Sequence, residues 1–485
     1  MISREYMGQE TLTNKVLKGT LWSFVESFSR QFISFVLGLV LARLLYPSDY
    51  GLIGMLMFFI AICQVFIDCG FANALICKND RNDKDFSTAF YFNLMVGVGT
   101  YAFLFIIAPF VASFYNEPEL NVLLRVVGLT VFFNSLCIVQ TAILTSSLRM
   151  RQLTRTTVIS QIGSGVVGIA MAYAGFGVWA LAVQSVGGAA ITTVILWIIT
   201  KWHPREPWSK ESFKYLWGFG SKMLFVGLVS NVYSNIHSLL IGKYFAKDDL
   251  GLYSKAQNLS RIVPNTLYSV LNKVSLPSLS AISNDTQRLK RAFRTYIIMA
   301  AFVVFPIMGL LMVLAKPLIL FLWTERWAGA IPVFQIMCFG CVWNTIDLLS
   351  ISILQVKHRP DLLLRLEVIN KIVGLSILFV SIPMGFYAVI IGRSIYNFYE
   401  FLVYTTTNKK LISYTYWEQF KDIMPCFVIA VVSSILAYVA QSYFNSNLIK
   451  LLVGGMSGVL CYIMIARILN FKAWNDTVSL VKSLF

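Results

Sequence analysis

Residues 18–55 read KGTLWSFVESFSRQFISFVLGLVLARLLYPSDYGLIGM. The apolar run over residues 20–45 is long enough to cross a hydrocarbon core about 30 Å thick, which takes roughly 20 helical residues. A turn around Pro47 follows, and a second apolar run begins at Gly51. The polar segment before the first run contains no short apolar stretch with a small-residue cleavage site. We therefore expect no signal peptide, and the first run is predicted to remain as a membrane helix.

The rest of the chain has the same apolar character. Of its 485 residues, 57% are hydrophobic and 13% are charged, whereas soluble domains carry about 25% charged residues. This composition excludes an ordinary soluble enzyme. A window of about 20 residues predicts an all-α integral membrane protein with about 14 transmembrane helices. The predicted spans are 20–45, 51–76, 87–112, 120–145, 155–175, 178–200, 216–243, 250–276, 295–322, 329–355, 362–384, 386–407, 423–444 and 447–469.

The positive charge is concentrated in every second loop. The formal net charge is +17, from 40 Lys and Arg against 23 Asp and Glu. The loop after the fourth span, for example, carries Arg149, Arg151 and Arg155, while the intervening loops are nearly free of basic residues. Cytoplasmic loops retain Lys and Arg, so we predict a multi-pass protein of the cytoplasmic (inner) membrane with both termini in the cytoplasm. A nucleic-acid partner would need one continuous basic face, and the charges form no such cluster along the chain.

A short internal repeat divides the chain. The segment VLARLLYPSDYGL, which ends at Leu52, has a counterpart LIGKYFAKDDLGL 200 residues later. Asp49 aligns with Asp249, and Gly51 aligns with Gly251. Six predicted spans separate the copies, so the halves share their orientation, as in a parallel pseudo-two-fold transporter repeat; two unrelated helix hairpins with similar turns are the alternative. The predicted parts are a six-helix N-lobe (1–207), a six-helix C-lobe (208–412) and two appended C-terminal helices (413–485).

Polar side chains interrupt three of the predicted spans at helical spacing. Arg30 lies about ten residues into the first span, roughly 15 Å deep at 1.5 Å per residue, and Glu26 is placed one turn earlier to pair with it. Arg261 lies about midway along the eighth span. Guanidinium groups bind phosphate oxygens bidentately, so the two arginines predict an anionic ligand in a water-filled cavity. The other predicted binding residues are Asn231, Asn235, Lys255, Asn258 and Asn265.

A second group of charges lies in the tenth, eleventh and twelfth spans. Asp347 has no charged partner nearby in sequence, so we predict either that it couples transport to a cation, H⁺ or Na⁺, or that it pairs with Arg393. Glu367 and Lys371 are spaced i, i+4 and are predicted to neutralise each other. Asp68, in the second span, is grouped with them as a coupling or structural charge. For any single polar group, a structural network between packed helices is the alternative interpretation.

The cysteines and histidines do not suggest a metal centre. Cys338 and Cys341 form a C-x-x-C inside an apolar stretch without a second pair, and the chain contains only three histidines. Structural zinc sites need four such ligands. We therefore expect no metal and no organic cofactor.

The stretch from Lys18 to Met55, with its L-A-R-L-L-x-P-x-D-Y-G-L motif, resembles the bacterial polysaccharide transporter family, the O-antigen and exopolysaccharide repeat-unit flippases. The likeness is closest to the colanic-acid and teichuronic-acid branch. The wider group includes the lipid II flippase and the multidrug and toxin extruders. The repeated motif around Gly51 and Gly251, together with the predicted number of spans, extends the resemblance over essentially the whole chain.

The resemblance implies two six-helix lobes around a V-shaped cavity that is lined by the first, second, seventh and eighth helices. It also implies a substrate, an oligosaccharide repeat unit on undecaprenyl diphosphate, that moves from the inner to the outer leaflet by alternating access. Arg30 and Arg261 match the cavity arginines of such flippases by helix and depth, and would meet the diphosphate. A polysaccharide polymerase and export machinery are the implied partners.

The sequence gives less support to two other classes of function. An ion-coupled multidrug exporter of the same fold is the alternative, but it would present acidic residues at the binding depth, where this sequence places arginines. A membrane enzyme such as a polymerase or glycosyltransferase needs a sizeable extramembrane loop or paired catalytic carboxylates at a membrane face. The sequence offers neither, so no enzymatic activity is expected.

Overall fold

The computed structural model describes residues 29–68, 70–78 and 80–468. Throughout these ranges the secondary structure is helical, and no strand is present in them. Backbone polar groups inside a bilayer need internal partners, and helices supply them within one segment. Because 57% of the residues are hydrophobic, long helices are the expected form, and the predicted all-α class is confirmed.

The first half of the described chain forms nine helices, of which the first is seen from residue 29 onward. They are α1 (29–44), α2 (Pro47–Asp68), α3 (Phe71–Cys77), α4 (Asp83–Tyr115), α5 (Glu119–Ser135), α6 (Ile138–Ser146), α7 (Met150–Tyr173), α8 (Val178–Thr200) and α9 (Lys210–Tyr244).

The second half continues with eight more helices and two short 3₁₀ turns. The helices are α10 (Lys247–Ala281), α11 (Thr286–Val313), α12 (Ala315–Trp323), α13 (Ala330–Val356), α14 (Pro360–Ser381), α15 (Phe386–Ile412), α16 (Tyr416–Ser442) and α17 (Asn447–Ile468).

Several helices begin at residues whose side chains satisfy the first backbone N–H groups. The Asn82 side chain accepts from the Asp85 backbone N–H, and the Asp85 carboxylate accepts from that of Asn82, which starts α4 with a capping box. Thr415 and Glu418 form the same arrangement at α16. Such caps satisfy groups that have no partner inside the helix, so these boundaries follow from local sequence.

Ten helical segments in the described ranges are long and apolar enough to cross a membrane. They correspond to the predicted spans two to seven, nine, ten, thirteen and fourteen. The eighth, eleventh and twelfth predicted spans form helices α10, α14 and α15, but charged residues such as Lys255, Glu367 and Arg393 lower their apolar character. The first predicted span begins before residue 29. The protein is therefore a multi-pass membrane protein with about ten clear spans, and the total of 14 stays a prediction.

Two compact units divide the chain after Gly251. In unit 1 (Met1–Gly251), α9 packs against α2, α3 and α4, and α7 packs against α8. In unit 2 (Leu252–Phe485), α13 packs against α15 and α11, and α16 packs between α11 and α17. The three-part division at residues 207 and 412, and the pseudo-two-fold relation of the lobes, stay predictions.

The two copies of the repeated segment fold alike at their corner. In the first copy the Tyr46 backbone N–H donates to Asp49 Oδ2 at 2.9 Å. In the second copy the Ala246 backbone N–H donates to Asp249 Oδ2 at 3.3 Å. The aligned aspartates therefore have the same role. Each carboxylate accepts a hydrogen bond from the backbone N–H three residues before it, where a helix begins.

Candidate functional site

A small polar cavity lies in unit 2 among α10, α13 and α15. Its volume is about 40 Å³. Most of the residues that line it carry nitrogen or oxygen in the side chain, which is unusual among the apolar surroundings of a membrane helix. They are Gln257, Ser260, Arg261, Met337, Cys341, Asn344, Arg393, Ser394 and Asn397.

Helical spacing explains why these side chains meet. On α10, Gln257, Ser260 and Arg261 stand at i, i+3 and i+4, which places them on one face. The lining residues of α13 are spaced by four and then three, and those of α15 by one and then three. Each helix therefore turns one polar stripe towards the cavity.

Short polar contacts hold the three helices at close range. The Ser394 hydroxyl of α15 donates to the Ile336 carbonyl of α13 at 2.9 Å. Gly340 allows this approach, because a Cβ built there would lie 2.7 Å from Ser394 Oγ. On the other side, the Cys341 thiol donates to Ser260 Oγ of α10 at 3.8 Å. These contacts position α10, α13 and α15 around the cavity.

Two cationic side chains face this cavity, and both are half-buried. Arg261 reaches it from α10 and Arg393 reaches it from α15, and the positive charge of Arg393 acts unfavourably on Arg261. No Asp or Glu stands among the described residues that line the cavity. The site is therefore electropositive.

The remaining predicted residues of α10 face different surroundings. Asn258 and Asn265 are exposed, while Lys255 is half-buried. Further along, the Ser352 hydroxyl of α13 donates to Asn272 Oδ1 at 3.1 Å. The polar stripe of α10 therefore divides between an open face and an edge that is hydrogen-bonded to α13.

The predicted residues of unit 1 lie on α1, α2 and α9. Arg30 is exposed near the start of the described part of α1, and Glu26 lies outside the described residues. Asn231 and Asn235 donate to backbone carbonyls of their own helix, at 3.1 and 2.9 Å. Asp68 joins a hydrogen-bond chain, described next.

The chain of hydrogen bonds around Asp68 links α5 to α2. Asn134 Nδ2 donates to Gln64 Oε1 at 2.9 Å. Gln64 Nε2 in turn donates to Asp68 Oδ1 at 3.1 Å. Asp68 itself is exposed at the end of α2. These contacts give Asp68 a local partner, as a structural network would.

Asp347 is a buried acid on α13. Its side chain is only 3% exposed, and neither carboxylate oxygen accepts a hydrogen bond from any described residue. The ion pair between Asp347 and Arg393 that the sequence allowed is not formed. Arg393 turns to the cavity shared with Arg261, and the charge that acts on Asp347 is that of Glu400 on α15.

The neighbours of Glu400 form a compact network on α14 and α15. Tyr396 donates its hydroxyl to Glu400 Oε1 at 2.7 Å, and Tyr404 donates to Glu367 Oε1 at 3.3 Å. Glu367 pairs with Lys371 at 3.4 Å, so the predicted i, i+4 pair is confirmed. The sequence does not predict these tyrosines, because a tyrosine in an apolar helix is most often a packing residue. The spacing of four between Tyr396 and Glu400 was the available signal, whereas Tyr404 donates to an acid on another helix.

Sequence comparisons relate this chain to proteins of polysaccharide biosynthesis. The model of the family described as polysaccharide biosynthesis protein matches residues 40–332. The teichuronic acid biosynthesis protein TuaB of Bacillus subtilis is 23% identical over 97% of this chain and 98% of its own length. The lipopolysaccharide biosynthesis protein WzxC of Escherichia coli is 20% identical over 74% of this chain and 73% of its own.

Solved structures show the same fold at low identity. One is a lipid II flippase, MurJ, in an inward closed conformation. The superposition covers 93% of this chain and 99% of the MurJ chain, with a TM-score of 0.73 and 14% identity. Another is a multidrug transporter of the MATE family in an inward-facing conformation. That superposition covers 79% of this chain and 94% of the transporter chain, with a TM-score of 0.63 and 15% identity. With the family model spanning more than half of its length, the chain belongs to the polysaccharide biosynthesis protein family.

Proposed function

We propose that the protein is a flippase that moves oligosaccharide repeat units, linked to undecaprenyl diphosphate, from the inner to the outer leaflet of the cytoplasmic membrane. Alternating access of an internal cavity would carry the substrate, with no covalent step. Family membership and the full-length similarity to a teichuronic acid biosynthesis protein support a role in cell-surface polysaccharide assembly. The fold of a lipid II flippase supports transport of a lipid-linked substrate.

The observation that carries the proposal is the electropositive cavity on α10. Arg261 faces it together with Arg393, and no carboxylate lines it in the described part of the chain. Guanidinium groups suit phosphate oxygens, and neighbouring amides and hydroxyls suit sugar hydroxyls. In this proposal Arg30, Arg261 and Lys255 meet the diphosphate, while the asparagines of α9 and α10 contact the glycan.

An ion-coupled multidrug exporter is the second candidate, and the fold of the MATE transporter favours it. Exporters of cationic drugs need acidic residues in the binding cavity. The cavity around Arg261 is basic instead, which supports the flippase.

We also propose that Asp347 couples transport to a cation, H⁺ or Na⁺. A buried polar group without a partner calls for an explanation, and a charge buried within a membrane protein usually serves transport. Glu400 is the acid whose charge reaches Asp347, and two buried neighbouring carboxylates are costly to ionise together. A bound proton or a cation would relieve that cost.

The inner-membrane location, with both termini in the cytoplasm, belongs to the same proposal, as does cooperation with a polysaccharide polymerase and export machinery. Neither an enzymatic step nor an organic cofactor is part of it. The lipid-linked glycan supplied by cytoplasmic assembly would be the only substrate.

Deletion followed by lipid analysis tests the function. We expect the lipid-linked glycan to accumulate in the inner leaflet and surface polysaccharide to disappear. Complementation with the Arg30→Ala/Arg261→Ala double variant should fail at unchanged protein level. Arg288→Ala, at an exposed residue paired with Asp285 at 3.3 Å, is the matched control and should restore the polysaccharide. Normal polysaccharide with the double variant, or drug resistance without any polysaccharide defect, would refute the proposal.

A further inference from the structure

We propose that the cavity among α10, α13 and α15 is a preformed site for one small anion, held between Arg261 and Arg393. The anion is either a single phosphate group of the lipid headgroup or a free inorganic anion. Only the first of these sources rests on the proposed function. The inference adds Arg393, until now grouped with the coupling charges, to the ligand-binding residues.

The charges around the cavity call for an anion. Arg261 forms no hydrogen bond or ion pair with any residue that the structure describes. Besides Arg393, the described residues that line the cavity around it carry amides, hydroxyls, a thiol and a thioether, and none of them is an Asp or Glu. Two cations in a medium of low dielectric repel strongly. An anion between them would convert this repulsion into attraction.

Glu400, the acid on which Arg393 acts, does not line the cavity. Glu400 lies on α15 beyond Arg393 and receives the Tyr396 hydroxyl at 2.7 Å. Its charge is shared, because Arg393 and Lys371 both act on it. Glu400 therefore offsets part of the Arg393 charge and does not supply the missing partner of Arg261.

Neutral donors complete the site. The side-chain amides of Asn344 on α13 and Asn397 on α15 line the cavity, and within the described residues neither amide makes a hydrogen bond. Each has two N–H donors. Two guanidinium groups and two uncommitted amides from three helices form a donor set suited to an oxyanion.

The size of the cavity limits the ligand. Its volume of about 40 Å³ is room for roughly three water-sized particles at about 10–15 Å³ each. A chloride ion or one phosphate group fits this space, and a sugar ring does not. The glycan would therefore remain outside the site, and recognition here would be independent of glycan identity.

Thermal unfolding of the purified full-length protein in zwitterionic nanodiscs tests the site. A ligand that binds only the folded state raises Tm with its concentration. We would titrate chloride, inorganic phosphate and pyrophosphate against gluconate at constant ionic strength. A separate arm would compare undecaprenyl diphosphate with undecaprenol in the nanodisc. Saturable stabilisation by chloride or phosphate indicates a free anion, and stabilisation by the diphosphate lipid alone indicates the headgroup; either supports the site.

Variants separate specific binding from general salt effects. Arg393→Gln should weaken the apparent affinity at least about tenfold, the loss expected for one charge-assisted hydrogen bond. Arg393→Lys should retain part of it, and Arg288→Gln should match the wild type. If Arg393→Gln fails to fold, Asn397→Leu provides the second test, because it removes a neutral donor and no charge.

Equal responses of the wild type and both cavity variants to every anion would overturn the inference. Normal glycan flipping without anion binding would refute the anion site and would leave the proposed flippase function supported. Anion binding in a protein that moves no lipid-linked glycan would support the anion site and would refute the flippase function.

Discussion

Gly51 and Gly251, which the internal repeat aligns at an offset of 200 residues, each pack against the backbone of the other copy within unit 1. A Cβ built on Gly51 would lie 1.9 Å from the Lys247 carbonyl oxygen, and one built on Gly251 would lie 1.9 Å from that of Pro47. Real atoms do not approach so closely. The glycine of each copy thus lies against the backbone at the start of the other helix. The starts of α2 and α10 therefore cross at two positions that carry no side chain.

We predict that Gly51→Ala and Gly251→Ala each destabilise the protein. The added methyl group meets backbone that cannot rotate away, and overpacking of this kind costs about 1–3 kcal/mol. Reduced Tm of the purified protein and lower polysaccharide export would check this. Gly99→Ala is the control, since no atom of the described residues lies within 4 Å of its added Cβ. Unchanged Tm in both variants would contradict the tight crossing.

Asp347→Asn should uncouple transport from the ion gradient. The amide keeps the shape but cannot exchange a proton or bind a cation as a carboxylate does. We expect flipping in proteoliposomes to lose its dependence on an imposed pH or Na⁺ gradient while Tm stays equal or rises. Asp361→Asn serves as control, because Asp361 is exposed, pairs with Arg359 at 2.9 Å and is not among the predicted coupling charges. Gradient-dependent flipping by Asp347→Asn would show that Asp347 has no coupling role.

Asp422→Asn should weaken the junction of α11 and α16. The buried Asp422 carboxylate receives the Tyr414 hydroxyl at 2.6 Å and pairs with Arg294. A hydrogen bond to a charged group is worth about 1.5–3 kcal/mol, so a clear fall in Tm is expected. Asp361→Asn breaks an exposed pair with Arg359, and such pairs contribute about 0–1 kcal/mol. Equal effects of the two variants would argue against a specific role for burial.

The cap of α11 should respond to acid. The pKa of Asp285 lies below its ordinary value of 3.8, chiefly because its carboxylate accepts a hydrogen bond from the Arg288 backbone N–H, and further from that of Gln287. A lowered folded-state pKa stabilises the protein above pH 3.8, and this contribution is lost as the pH falls through the folded-state value. Asp285→Asn keeps the cap without the charge, so its Tm should fall less on acidification. A steeper acid response of the variant would contradict this.

Helix order and several local contacts were predictable from the chain alone. Apolar runs set the spans, since length and composition decide insertion into a bilayer. Glu367 and Lys371 meet because i, i+4 residues share a helix face. The paired corners at Asp49 and Asp249 follow from a repeated motif. Family membership followed from the same stretch of residues.

The candidate site was only partly predictable. Arg261 is predicted as a binding residue because a guanidinium in an apolar run is rare. Arg393 is predicted either as a coupling charge or as an ion-pair partner of Asp347, and the cavity that it shares with Arg261 is not predicted. Asn258 and Asn265 were grouped with Arg261 by helical period, yet they are exposed on α10. Asn344 carried no signal, because single amides are common in membrane helices, whereas Asn397 shares a helix face with Arg393 at a spacing of four.

The sequence by itself determined that this is a membrane protein, the order of its helices and which residues are too polar for lipid. Those properties depend on composition and on contacts between residues a few positions apart. Tertiary structure alone decided which of those polar residues meet. It placed Arg393 and Arg261 at one cavity, left Asp347 without a hydrogen bond from any described residue, and brought the starts of α2 and α10 together at Gly51 and Gly251. Helical periodicity orients a side chain around its own axis, whereas its partner depends on how separate helices pack, and that information is not local.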